Sequence, residues 1–149
     1  MRGDTRAVSP AVTQALTIGI STILITGLLL AGASFSDTKR ENTVRQGLQD
    51  VGSGLASDLV RLDQFDTDGV SNNLSFRSEY PDQIAGEGYR IHLVDDTDRA
   101  TIHVNSTSSE LRTQVRFAND HPVCETTVRG GQITVVYDTT SDCLEVRSA

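Results

Sequence analysis

The chain has 149 residues, which is enough for one compact domain and one additional helix but not for a two-domain enzyme. Its formal charge is -7, and Lys39 is the only lysine beside twelve arginines. Such an acidic chain does not favour binding to nucleic acid, because a phosphate backbone requires clustered positive charge. High negative charge also keeps a protein soluble.

The first predicted element is a long apolar helix near the N-terminus. No charged residue occurs between Ala7 and Ser36, and Gln14 is the only side-chain amide within this stretch. About 20 apolar residues suffice to cross the hydrocarbon core of a bilayer. Residues 8–36 are therefore predicted to span a membrane and to contact its lipid. The run is too long for a conventional cleaved signal peptide, and the basic residues on its two flanks balance, so charge does not fix its orientation.

The following stretch, residues 37–66, has the pattern of an amphipathic helix. Its apolar residues recur at steps of three and four and therefore share one face. They are Val44, Leu48, Val51, Leu55, Leu59, Leu62 and Phe65. We expect this face to pack against a sheet.

The polar positions of this stretch include Asp58 and Asp63, which the periodicity assigns to the solvent side. Asp37 or Thr38 could cap a new helix, or the apolar helix could simply continue as a stalk. Glycine weakens a helix, and bends are predicted at Gly47, Gly52 and Gly54.

Beyond this helix the pattern changes to strands. A stretch rich in turn formers, residues 66–73, ends the helix, and apolar residues then alternate with polar ones. Six short strands are predicted within residues 74–77, 89–94, 100–104, 111–117, 133–137 and 143–147. Tight loops between them imply an antiparallel meander, with arginine, threonine and histidine on its wet face. The predicted fold class is α+β, a long N-terminal hydrophobic helix followed by a small antiparallel β-sheet head domain over residues 67–149.

The two cysteines, Cys124 and Cys143, have neither a redox-motif nor a zinc-site spacing. In an exported domain they would form one disulfide. Closing a loop of this length would contribute about 3 kcal/mol by the loop-entropy argument. Two buried free thiols are the alternative.

Several residue patterns are candidates for a glycosylation site, a metal site or a catalytic site. Two N-glycosylation sequons begin at Asn73 and Asn105, in predicted turns or strand ends. His92 and His103 lie on adjacent predicted strands and could be cross-strand neighbours, but no metal-site spacing accompanies them. No nucleophile or phosphate-binding motif occurs, so neither catalysis nor a cofactor is predicted.

The residues directly before the apolar run, Arg6-Ala7-Val8-Ser9-Pro10, carry the most specific pattern. Here the first 35 residues resemble archaeal type IV pilin precursors, especially those of haloarchaea. The bias for aspartate over glutamate, with almost no lysine, is similarly typical of halophilic proteins. After the proline the chain continues with Ala11-Val12-Thr13-Gln14 instead of the Val-Ile-Gly of major pilins, which favours a minor or accessory pilin.

The resemblance implies a maturation step and a role. Residues 1–7 would be a leader, removed by a membrane prepilin peptidase that recognises Arg6 and Ala7 and leaves Val8 as the mature N-terminus. The apolar helix would anchor the subunit and then pack against other pilin subunits, with the β domain outside the cell for surface contact or adhesion. The alternative is an unprocessed single-pass protein whose external domain binds a ligand or an envelope partner.

Overall fold

A computed structural model of the chain describes residues 8–65, 74–96 and 99–149. Within these ranges it contains one helix and eight strands, and the chain divides into two units, residues 1–39 and 40–149. The elements are α1 Val8–Gln64, β1 Ser75–Glu79, β2 Gln83–Ile84, β3 Glu87–Asp96, β4 Arg99–Ser106, β5 Arg112–Phe117, β6 Thr126–Arg129, β7 Gln132–Asp138 and β8 Cys143–Ser148. The predicted α+β class, a long N-terminal apolar helix followed by antiparallel sheets, is confirmed.

Helix α1 is continuous, so the alternative in which the first helix runs on is the correct one. Thr38 does not cap a new helix, because its Oγ1 donates a hydrogen bond of 3.0 Å to the carbonyl of Ser34, four residues earlier. Such a bond is typical of a hydroxyl side chain within a helix. The predicted turn at residues 66–73 lies outside the described residues.

The strands of the second unit form two antiparallel sheets. One has three strands in the order β1-β7-β8, and the other has the order β2-β3-β4-β5, with β6 also paired to β3. The predicted antiparallel pairing of consecutive strands is therefore confirmed for β3, β4 and β5 and for β7 and β8, but not for one meander through all the strands. Strands β2 and β6 were not predicted, because two and four residues are too short to display an alternating pattern.

The apolar face of α1 packs against both sheets, as predicted. Leu55 and Leu59 are fully buried in one core with residues such as Leu93, Ile102 and Ile133. The prediction was wrong for Phe65, which is 55% exposed at the end of the helix. Its ring still lies 5.8 Å from that of Phe76, so it packs on the edge of the domain.

Helix α1 continues through Gly47, Gly52 and Gly54, and these glycines lie where the rest of the domain comes close to the helix. A Cβ added to Gly52 would lie 2.9 Å from Cγ2 of Val115 on β5, and one added to Gly47 would overlap Ile84 on β2. The missing side chains thus allow a close approach of the helix backbone to the sheet, and the bends stay a prediction.

Asp63 is only 6% exposed, although its position in the sequence assigned it to the solvent side. Its carboxylate accepts hydrogen bonds from the backbone N–H of Asp120 (2.7 Å) and of His121 (3.1 Å). It also lies 2.9 Å from Nδ1 of His121. Burial of this carboxylate is tolerated because the loop between β5 and β6 supplies donors to it.

Candidate functional site: an unpartnered apolar helix and an arginine row

The N-terminal part of α1 exposes a large apolar surface. Every described side chain from residue 10 to residue 36 is exposed, with Ile23 at 73% and Leu28 at 74%. The helix is long and apolar enough to cross a membrane, and none of the segment that meets this criterion is buried within the chain. Among the described residues nothing covers this surface, and water is an unfavourable environment for it.

Three threonine hydroxyl groups of this segment donate hydrogen bonds within the helix. Thr17, Thr22 and Thr26 donate to the carbonyls of Thr13, Ile18 and Thr22, at 2.9, 2.8 and 2.8 Å respectively. A bond to the carbonyl four residues earlier is typical of a threonine within a helix. These bonds remove the main polar obstacle to placing the segment in lipid or against another apolar helix.

Small residues leave room on this surface for another helix. A Cβ added to Gly19, Gly27 or Gly32 would have no atom of the rest of the chain within 4 Å, apart from the nearby helix backbone. Glycine in a membrane helix lets a second backbone approach closely. The proposed processing residues Arg6 and Ala7 lie outside the described residues, and Val8 is the first residue of α1.

The two cysteines form a disulfide, with 5.5 Å between their Cα atoms. The bond joins the segment before β6 to the first residue of β8. Backbone hydrogen bonds flank it, from the N–H of Cys124 to the carbonyl of Leu144 and from the N–H of Leu144 to that of Pro122, both 2.9 Å. The disulfide therefore ties the β6 strand, which belongs to the larger sheet, to the smaller sheet.

The histidines are arranged as the sequence suggested. His92 and His103 are directly paired between β3 and β4, with ring centroids 6.3 Å apart. Nε2 of His92 lies 3.3 Å from Oε1 of Glu125, and its Nδ1 lies 2.7 Å from Oγ1 of Thr127. Within the described ranges no group of three or more potential metal-ligating side chains occurs.

The outer face of the larger sheet carries most of the predicted polar residues. Arg90, His92 and His103 are at least partly exposed there, as expected for a wet face. Thr101 is an exception at 2% exposure, because its neighbours cover it and its hydroxyl donates to Asp96 at 2.9 Å.

Four neighbouring strands place their outward side chains in one row on this face. Arg129 on β6 is paired with Arg90 on β3, Arg90 with Asn105 on β4, and Asn105 with Arg112 on β5. All four side chains are exposed. We call these four residues the arginine row. The alternating pattern assigns the arginines to the solvent-exposed face of the sheet. It does not predict that they are neighbours, because strand order and register are not visible in the alternation.

Asn105, a candidate glycosylation site, stands in the middle of this row. Asn73, the other candidate, lies outside the described residues. The hydroxyl groups that follow Asn105 are engaged in the fold, because Ser106 donates to Glu87 (2.7 Å) and Thr107 to the carbonyl of Gly88 (2.9 Å). The side chain of Asn105 itself points to solvent between two arginines.

Comparison with known proteins gives one finding. No curated protein and no solved structure matches the chain. Residues 3–149 match DUF7266, a family of unknown function. The match includes the apolar helix, both sheets and the disulfide, and the chain therefore belongs to the DUF7266 family.

Proposed function

We propose that the protein is a structural subunit of a type IV pilus-like surface filament, a minor or accessory pilin. Its leader is removed after Ala7, and the apolar helix anchors it in the membrane before assembly. The observation that carries this proposal is that every side chain of residues 10–36 is exposed, in a helix segment that no other described residue covers.

The physical argument concerns what can cover that helix. A helix that is apolar on all sides is stable in lipid or among other apolar helices, and not in water. A subunit waiting for assembly needs lipid, and a subunit in a filament needs the helices of its neighbours. The open surface at Gly27 and the internally bonded Thr22 and Thr26 suit both environments.

The second unit has the properties of a domain that faces the medium. Its core lies entirely within residues 44–146 and needs no contribution from the apolar segment. Its disulfide is of the kind that persists in an oxidising environment outside the cytoplasm. Its numerous carboxylates keep it soluble, so the domain suits a role in surface contact.

Substitution of the residues around the cleavage site tests the proposal. Arg6→Gln and Ala7→Asp are expected to retain the leader, whereas Arg2→Gln, which also removes one leader charge, is expected to be processed normally. Intact mass of membrane protein gives the N-terminus, and shearing of cells gives the filament fraction. We expect the two site variants to keep residues 1–7 and to be absent from sheared filaments.

Retention of the leader by the wild-type protein would support the alternative function. If the wild-type protein retains its N-terminus, and the three variants behave alike, the chain is an unprocessed single-pass membrane protein. Its external domain would then bind a ligand or an envelope partner without assembling.

A further inference from the structure

The arginine row places like charges side by side without compensation. Neighbouring strands lie about 5 Å apart, so Arg129 and Arg90 are in direct proximity and Arg112 lies about 10 Å from Arg90. Like charges directly opposite each other on neighbouring strands are destabilising. In the part of the chain that the structure describes, ion pairs are formed by Arg40, Arg45 and Arg147. None of the arginines in the row forms an ion pair with a described residue.

This arrangement is unexpected for so acidic a chain. Residues 40–149 contain 18 carboxylate side chains and ten arginines, yet among the described residues no carboxylate forms an ion pair with the row. Carboxylates near it are Glu110 beside Arg112, Glu125 at 3.3 Å from Nε2 of His92, and Glu87, which accepts hydrogen bonds from Ser106 and Ser109. Arginines without an ion pair also occur elsewhere, for example Arg77 and Arg116, and the row differs from them because it places such arginines on neighbouring strands. Guanidinium groups left free in this way can bind carboxylates or sulfates with two hydrogen bonds each.

Two depressions accompany the row and share a wall. One, of ≈ 480 Å³, is lined by Arg90, His92, Asn105, Ser106, Thr107 and Thr127. The other, of ≈ 440 Å³, is lined by Asn105, Ser106, Ser109, Glu110, Leu111 and Arg112. Because both include Asn105 and Ser106, together they continue across the sheet from β6 to β5. A chain-like ligand fits this shape better than a single small ion.

The wall between the depressions is held in place by hydrogen bonds. Ser106 and Ser109 both donate to Oε2 of Glu87, each at 2.7 Å. These bonds, that of Ser109 first, lower the pKa of the Glu87 carboxyl, so it remains an acceptor for both hydroxyls. The surface beside the row is thus a fixed part of the sheet.

We propose that the arginine row and its two depressions bind an acidic polysaccharide outside the cell. The guanidinium groups of Arg90, Arg112 and Arg129 bind its carboxylate or sulfate groups. The amide of Asn105 and the hydroxyl of Thr127 are placed to hydrogen-bond sugar hydroxyls, since each can both donate and accept.

Other classes of partner fit the surface less well. Single-stranded nucleic acid is usually held by base stacking on aromatic rings, and His92 is the only ring that lines either depression. A lipid surface would require apolar anchors, but the large exposed apolar side chains of the described residues lie in α1 or at Phe65.

This inference rests on the proposed function only in requiring that the domain face the medium. The test is binding of a fluorescently labelled polyuronate oligosaccharide to the purified full chain in non-ionic detergent, measured by anisotropy. Binding is measured at the lowest salt concentration at which the circular dichroism spectrum of the protein is still that of its folded state. A duplex DNA of equal charge serves as competitor.

Two triple variants with the same change of charge make the test specific. R90Q/R112Q/R129Q removes the row, whereas R45Q/R77Q/R147Q removes three exposed arginines elsewhere in the domain. We expect the row variant to bind the oligosaccharide at least tenfold more weakly and the control variant to bind within twofold of wild type. Circular dichroism and thermal melting of each variant verify that it is folded.

Several results would overturn the inference. They are absent binding by wild type, equal weakening in both variants, or stronger competition by DNA than by unlabelled oligosaccharide. A glycan attached to Asn105 of the native protein would also overturn it, because the depressions would then be covered. Self-association that is lost only in the row variant, without oligosaccharide binding, would assign the surface to a second copy. None of these readouts depends on leader removal, so failure here is distinct from failure of the filament proposal.

Discussion

Two segments of the same helix, residues 10–36 and residues 44–62, are both rich in large apolar side chains and yet differ completely in burial. Leu28 is 74% exposed, whereas Leu55 is fully buried. The difference is visible in the sequence, because the second segment confines its apolar residues to one face and the first does not. The second segment has its partner within the chain, and the first must find its partner in a membrane or in other molecules.

The largest effect is expected from a charge placed in the buried segment. Leu55→Asp puts a carboxylate into the core, where no donor is available, and should destabilise the domain by about 5 kcal/mol or prevent folding. Leu24→Asp, at a side chain that is 62% exposed, should leave thermal melting of the domain unchanged and reduce the membrane-bound fraction. Equal melting of both variants, with equal resistance to proteolysis, would contradict the assigned difference in burial.

Loss of the disulfide should have the next largest effect. Replacing Cys124 and Cys143 by alanine, or reducing them, should lower the free energy of unfolding by about 3 kcal/mol, because a loop between residues 19 apart is no longer closed in the unfolded chain. Chemical denaturation of the oxidised and reduced protein measures the change. Anchoring through the apolar segment should be unaffected, and a reduced protein that leaves the membrane would contradict the independence of the two segments.

A smaller effect is expected at alkaline pH, and only in the second unit. Burial raises the pKa of Tyr89 from 10.0 to about 12, and its hydroxyl donates to the carbonyl of Pro81 at 2.7 Å. Burial and the Asp58 carboxylate likewise raise the pKa of Tyr80. Above pH 10 the unfolded chain loses these protons while the folded chain retains them, so stability is fully present below pH 10 and falls as the pH rises towards 12.

Unfolding measured between about pH 8 and about pH 12, the range in which tyrosine titrates, tests this effect. Tyr89→Phe should flatten the decline, since phenylalanine has no proton to lose. A variant as sensitive to alkali as the wild type would contradict the assignment to Tyr89.

Much of the fold could be predicted because periodicity reports burial directly. The spacing of Val44, Leu48 and Leu55 predicted the packed face of α1, and alternation predicted β5 and β8 nearly in full and the middle of β3, β4 and β7. Prediction failed where the local pattern carries no information on tertiary contacts. Asp63 is buried because a distant loop supplies donors to it, and β6 pairs with β3 although 29 residues lie between the end of β3 at Asp96 and the start of β6 at Thr126.

The apolar helix and the arginine row, the two parts of the candidate site, also differ in whether the local sequence pattern predicts them. The apolar helix is a continuous stretch of sequence, so it could be predicted in full. The arginine row combines Arg90, Asn105, Arg112 and Arg129 from four strands, and only their register makes them neighbours. A charge on an alternating strand predicts exposure and does not predict which other charges lie beside it.

The most direct test of the account identifies what covers the exposed segment of α1. A photoreactive residue in place of Leu28, with one in place of the buried Leu48 as control, reports the neighbour of each position in the cell. We predict lipid adducts at position 28 in the membrane fraction, chain-to-chain adducts at position 28 in sheared filaments, and neither at position 48. Lipid adducts alone at position 28 in every fraction would contradict assembly through this helix and would identify it as a permanent membrane anchor.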